Sequence, residues 1–212
     1  MSSTGLDEQR PRGGRLPRKQ RRAQLLESAL QVFVAQGYHA AAMDDIAERA
    51  GVSKPVLYQH FPGKLELYLA LLDQHADDLV AKVRSALHST TDNRQRVAAS
   101  VGAYFDFVDG DGSERAGAFR LVFESDLKSE PAVRARVERM SQECVEAIAE
   151  TIAHDTGFRE EEALLLSVGL AGLAEVGARW WLASQGRLSK ERAVELLVGL
   201  SWRGISGAPL ST

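Results

Sequence analysis

The chain has 212 residues, 44% of them hydrophobic and 26% charged, with five histidines, one cysteine and a formal net charge of −3. That length admits one large domain or a small one joined to a larger one, with the composition of an ordinary soluble protein. The lone Cys144 excludes an intramolecular disulfide framework and suits a reducing cytoplasm. The N-terminus is polar and basic, without the apolar segment of a signal peptide. The longest nearly apolar run, Ala163 to Ala174, is shorter than the roughly 20 residues that cross a bilayer, so no membrane partner is expected.

The charge is unevenly placed. Arg10, Arg12, Arg15, Arg18, Lys19, Arg21 and Arg22 crowd the first stretch against only Asp7 and Glu8, which leaves the remainder acidic. Residues 1–17 have too few apolar side chains to fold and are expected to form a disordered basic arm, either a solubilising tail or a nucleic-acid contact. A helix is predicted from Pro17 or Arg18 to about Gln36. Leu25, Leu26, Ala29, Leu30, Phe33 and Val34 form its stripe and Gly37 its C-cap. His39 reads as a surface loop residue.

Ala42 to Lys64, AMDDIAERAGVSKPVLYQHFPGK, reads as two short helices joined by a tight turn. Met43, Ile46 and Ala47 form the apolar stripe of the first, Gly51 ends it in the left-handed conformation, and Val52 folds back over the preceding turn. Ser53 is the expected N-cap of the second helix, Pro55 falls in its first turn, and Pro62-Gly63 stops it. Such a pair forms a helix-turn-helix, whose second helix can enter a DNA major groove. Lys54, Tyr58, Gln59 and His60 carry donors, while Pro55 and Val56 suit a thymine methyl. On spacing alone, an ordinary helical hairpin stands beside DNA binding.

A long helix is predicted from Lys64 to Leu87, with Lys64 beside free backbone donors at a natural phosphate site and His75 as a core histidine. Its far end must lie in a second domain, which makes it the lever between the two. Further helices are predicted over 93–108 (Val97, Val101, Tyr104, Phe105), 114–127 (Phe119, Phe123), Pro131 to about 155 (Met140, Cys144, Ile148), 160–184, and from Ser189 onward. Gly169, Gly172, Val176 and Ala178 leave a surface of small residues on the penultimate helix. With Leu196 and Leu200 on the last helix, they are expected to build a four-helix interface with a second subunit. Burial inside the monomer is the competing reading.

The expected fold class is all-α: a three-helix DNA-binding domain over 18–64, with its motif at 42–61, and a helical ligand-binding and dimerisation domain over 65–212. The histidines show no paired-ligand spacing and Cys144 has no partner for zinc. There is no nucleophile elbow and no Walker-type loop. No enzyme, metal site or cofactor is expected.

The run DIAERAGVSKPVLYQHFPGKLEL resembles the N-terminal signature of the TetR/AcrR family of one-component bacterial regulators. Ile46-Ala47, the Gly51-Val52-Ser53 turn, Leu57-Tyr58, His60-Phe61 and Lys64 carry the likeness. It implies that Lys54, Pro55, Val56 and Gln59 face bases and that Tyr58, His60 and Lys64 hold phosphates; Asp44 and Ser53 complete the expected DNA-binding set. Many members place threonine at or beside position 42 to cap the first motif helix. Here Ala41, Ala42 and Met43 stand, so the capping or first-turn role passes to Asp44. The likeness further implies a cytoplasmic homodimer on a pseudo-palindromic operator in double-stranded DNA, its heads in successive major grooves about 34–36 Å apart.

The family encloses a small-molecule effector among its middle helices. The candidate pocket residues are Tyr104, Phe105, Phe119, Phe123, Cys144 and Trp180, plain core being the alternative for each. The segments GYHAAAMDDIAERAGVSKPVLYQHF, KLELYLALLDQH, STTDNRQR and FRLVFESD are similar to actinobacterial regulators of fatty-acid synthase genes. That likeness implies a long-chain acyl-CoA effector, with arginines near the pocket mouth meeting its phosphates. The alternative function is a helical small-molecule or lipid-binding protein without operator recognition, for which the departure at 41–43 speaks.

Overall fold

The computed structural model describes residues 16–110, 127, 129–184 and 187–204. Among them every regular element is a helix: α1 (Arg18–Ala40), α2 (Met43–Arg49), α3 (Lys54–His60), α4 (Lys64–His88), α5 (Asn93–Asp109), α6 (Pro131–Thr156), α7 (Glu160–Ala183) and α8 (Lys190–Arg203). The all-α expectation holds. The basic arm to residue 15 and, except for Leu127, the helix expected over 114–127 lie outside the described residues.

The first three helices form a small head. α1 breaks at Gly37 (φ 76°), where the sequence placed its end, and one further turn carries it to Ala40. α2 closes in a Schellman motif: the Gly51 N–H donates to Glu48 O and the Val52 N–H to Ala47 O, both at 3.0 Å. Gly51 sits at φ 63°, which a side chain would strain. Helices of seven residues are unstable alone. These two persist because Ile46 and Leu57, both fully buried, enter the same core as Leu25, Ala29 and Leu30 of α1. Gln24 Nε2 also donates to Ala50 O at 2.9 Å, fastening α1 to the turn.

The head does not end at residue 64. Tyr68 of α4 packs edge-on against Phe33 and Tyr38, with centroids 5.3 and 5.2 Å away. The first turns of α4 therefore belong to the core of the head, and the helix is shared between the two parts of the chain. At its start the Lys64 ammonium donates to Tyr38 O, His39 O and Ala41 O at 2.9, 3.2 and 2.8 Å and lies 4.6 Å from the Tyr38 ring centroid.

Beyond the head, α4 packs on α5 and α6, α6 packs on α7, and α5 packs on α7 and α8. α5 and α8 begin at side-chain caps, Asp92 Oδ1 accepting from the Gln95 N–H and Ser189 Oγ from the Arg192 N–H. α7 turns small side chains inward: Ala163, Ser167, Ala171, Ala174 and Ala178 are all buried. Its length and composition would allow it to cross a membrane, more than the Ala163–Ala174 run indicated. That inward face is instead occupied by the bundle.

Lys64→Met keeps the aliphatic stem and removes the charge, leaving three carbonyls without their donor. The expected outcome is a loss of about 1.5–3 kcal/mol of stability, read by thermal or urea unfolding. An unchanged midpoint would remove the clamp from the account.

Candidate nucleic-acid interface and effector cavity

α3 presents its sides unequally. Leu57 is fully buried, whereas Lys54, Pro55, Tyr58 and Gln59 are exposed and Val56 and His60 are half-buried. A helix anchored by one leucine and otherwise facing solvent with donors, a proline and an aromatic ring is shaped to contact something else. Its amino end is set by an ion pair between Lys54 Nζ and Asp44 Oδ2 at 2.5 Å, and the hydrogen bond to Asp44 raises the Lys54 pKa above the usual lysine range.

Several expectations need correction. Asp44 holds the first-turn place expected for it but does not cap α2: Ala42 is the N-cap residue, and Asp45 Oδ2 accepts the Ala42 N–H at 3.4 Å. The third residue of a helix can reach back to the cap, while Asp44, the second, reaches Lys54 instead. Ser53 has the backbone of an N-cap, but its hydroxyl makes no capping bond. Lys64 directs its three donors inward, to the end of α1, and not to solvent.

A basic ridge adjoins α3. Arg22 stacks over the Phe61 ring at 4.3 Å and its Nη1 donates to His60 O at 3.5 Å. His60 is held below its ordinary 6.5 by partial burial first, then by Arg18, Arg22 and Arg21. This edge thus concentrates positive charge beside a neutral imidazole.

The second site is a cavity of about 390 Å³ between α5, α6, α7 and the ends of α4 and α8. Val97, Val101, Ile148, Ile152 and Leu170 give it apolar walls. One end is polar, with Asn93, Arg96, Asp155 and Thr156. Arg96 is ion-paired with Asp155 and also donates to Thr90 O at 2.7 Å and Asn93 Oδ1 at 3.0 Å. The hydrogen bond with His154, and then the charge of Arg96, hold the Asp155 carboxyl below the usual carboxylate range.

Of the expected pocket residues, Tyr104 lines this cavity. Cys144 lies against Tyr104, hydrogen-bonded to its hydroxyl, and burial pushes the thiol up to about 11. Phe105 packs on Trp181, centroids 5.4 Å apart, away from the cavity walls. Trp180 is 58% exposed and lines no wall. One residue along a helix is a turn of about 100°, enough to exchange core for surface. Phe119 and Phe123 lie outside the described residues. Ser100, Arg96, Asn93 and Asp155 were missed because polar residues on a helix read as a solvated face. The only signal was the four-residue spacing of Arg96, Ser100 and Tyr104.

The surface expected for a second subunit is exposed except at Ala178, which is fully buried inside the bundle. Gly169, Val176, Leu196 and Leu200 are open and Gly172 is half-buried, beside exposed Leu165, Val168 and Trp180. Burial inside the monomer does not account for this face. Among the described residues, no group of His, Cys, Asp and Glu side chains could hold a metal ion.

Comparison with known proteins agrees with this arrangement. Residues 25–71 match the bacterial regulatory proteins of the tetR family. Over 209 residues the chain is 49% identical to the HTH-type transcriptional activator FasR of Mycolicibacterium smegmatis, covering 96% of this chain and 94% of that protein. The fatty acid degradation regulator FadR from Bacillus halodurans superposes with a TM-score of 0.72 at 21% identity, over 87% of this chain and 96% of that one. FadR from Bacillus subtilis in complex with stearoyl-CoA gives 0.71 at 15% identity, over 86% and 98%. At those identities the two structures speak for the fold. The helix-turn-helix head, the helical second part and 49% identity to a regulator over nearly the whole chain lead to one conclusion: the chain belongs to the tetR family of transcriptional regulators and is FasR-like.

Proposed function

We propose that this chain is a cytoplasmic homodimeric regulator that binds a pseudo-palindromic operator, senses a long-chain acyl-CoA and controls genes of lipid metabolism. The observation that carries the proposal is the course of α4. This helix starts inside the core of the head and reaches the cavity wall at Leu87. Twenty-five residues span about 37 Å, so one stiff rod joins the two sites. Asp73 of α4 also forms an ion pair with Arg136 at 2.9 Å and accepts from Arg139 at 3.3 Å, both on α6, whose far end lines the cavity. A shift of α6 on ligand binding is thereby passed to the rod and re-aims the head.

In the head, Lys54, Pro55, Val56 and Gln59 meet bases while Tyr58, His60 and the Arg18–Arg22 ridge meet phosphates. Lys64 acts indirectly, by fixing where α4 leaves α1. The exposed stripe of α7 and α8 is the dimer face, since apolar surface of this extent on two adjacent helices is stable when covered by its own copy. In the second domain, apolar walls with an arginine-bearing rim suit an acyl chain and its polar head. The same fold accommodates stearoyl-CoA in the Bacillus subtilis protein.

The test is native mass spectrometry of the full chain with palmitoyl-CoA and with duplex from the DNA upstream of its own gene. The expected species is twice the 23.1 kDa chain mass, carrying the acyl-CoA and changing its duplex occupancy when it does so. A protein that ignores specific duplex in both states would sink the proposal.

Tyr58→Phe is expected to weaken binding to all duplexes by about tenfold, whereas Gln59→Ala changes base preference by about 1–3 kcal/mol at one position, both read by competition gel shift. Affinity should rise as pH is lowered from about 7.5 to about 5.5, because a phosphate beside His60 draws in a proton that the free protein resists; His60→Gln should flatten the profile. The free protein should move the other way. The unfolded chain takes up that proton at higher pH than the folded one, so stability falls as pH drops through 6.5. Val101→Trp fills the cavity and should abolish the acyl-CoA adduct while leaving duplex binding intact.

A further inference from the structure

The hydroxyls around the cavity are spoken for, with one exception. Thr151 Oγ1 donates to Ala147 O at 3.1 Å, Thr156 Oγ1 to Ile152 O at 2.6 Å and Ser201 Oγ to Leu197 O at 2.8 Å. Each is the ordinary bond of a helical hydroxyl to the carbonyl four residues back. The Tyr104 hydroxyl is bonded to Cys144. Ser100, only 8% exposed, lines the same cavity and its Oγ has no hydrogen-bond partner. A buried hydroxyl without a partner is costly, and on a residue that lines a cavity a turn about χ1 can bring it to bond whatever fills that space.

Its position says which atom it meets. Arg96, Ser100 and Tyr104 are four apart on α5, so they lie in file on one face, each about 6 Å along the axis from the next. Arg96 and its partner Asp155 stand at the polar end, while Val97, Val101 and Ile152 add hydrocarbon to the wall that Ser100 shares. A ligand bonded at Ser100 therefore has an acceptor one helical turn inside the polar rim and an apolar chain around it. The thioester of an acyl-CoA has this order: an amide-bearing pantetheine arm outside, a carbonyl oxygen, then alkyl chain.

We propose that Ser100 is the specificity-determining residue of the cavity, its hydroxyl donating to the thioester carbonyl oxygen of the acyl-CoA. Arg96 and Asp155, one turn outward, offer a donor and an acceptor to the first amide of the pantetheine arm. The inference rests on the acyl-CoA reading above. It adds that the protein reads the carbonyl as well as the greasy length of the chain.

The test compares palmitoyl-CoA with S-hexadecyl-CoA, a thioether of equal chain length that lacks the carbonyl, by isothermal titration to wild type and to Ser100→Ala. Wild type is expected to bind the thioester about tenfold tighter than the thioether. Ser100→Ala should bind both alike, at the thioether level, with an unfolding temperature no lower than wild type because no bond is lost in the free protein. Equal wild-type affinities, or a preference that survives in Ser100→Ala, would overturn the inference while the acyl-CoA reading stands. If wild type binds neither compound, that reading fails and the inference falls with it.

Discussion

Three carbonyl oxygens at the end of α1 converge on the Lys64 ammonium, and the geometry of the head depends on that convergence. Helix carbonyls at a carboxyl end are unsatisfied and carry negative partial charge, so a cation there is stabilised by hydrogen bonds and helix dipole together. Because Lys64 is also the first residue of α4, the same contact sets the angle at which the long helix departs. Tyr68 and the Phe33–Tyr38 pair then lock that angle by aromatic packing. The head and the start of the rod share one core for this reason.

The second part of the chain uses helix faces economically. α7 buries a column of alanines and one serine whose hydroxyl is satisfied by Ala163 O, which lets its neighbours approach closely. At Gly177 an added Cβ would come within 2.3 Å of the Leu197 side chain. The opposite side of the same helix carries Leu165, Val168, Val176 and Trp180 into solvent. A helix apolar on both sides is therefore packed once inside the monomer, and its outer side is free for a second copy. α5 divides too, turning Arg96, Val97, Ser100, Val101 and Tyr104 to the cavity and Phe105 to Trp181.

Much of this was legible in the chain. The helix boundaries follow from caps, glycines and the 3.6-residue period, and the observed α4, α5 and α6 each end within a residue or so of where Leu87, Val108 and Asp155 placed them. The second motif helix was legible too, because α3 is short: with Leu57 as the anchor, Lys54, Pro55, Tyr58 and Gln59 are left outward. The cavity was not. Trp180 and Trp181 are both large and apolar, and only the register of α7 against α5 puts the second on Phe105 and the first in solvent.

The roles of single polar residues divide the same way. Local chemistry, spread over a few neighbouring positions, determined the all-helical fold, the helix-turn-helix and the family, since propensity, capping and turn geometry act at short range. Tertiary structure alone decided that Lys64 closes α1 and that Arg96 meets Asp155 across 59 positions of sequence. It likewise left Ser100 without a partner. A side chain's hydrogen-bond partner is fixed by which helix packs beside it, and that packing is settled by the summed fit of many apolar side chains, which no short stretch of sequence contains.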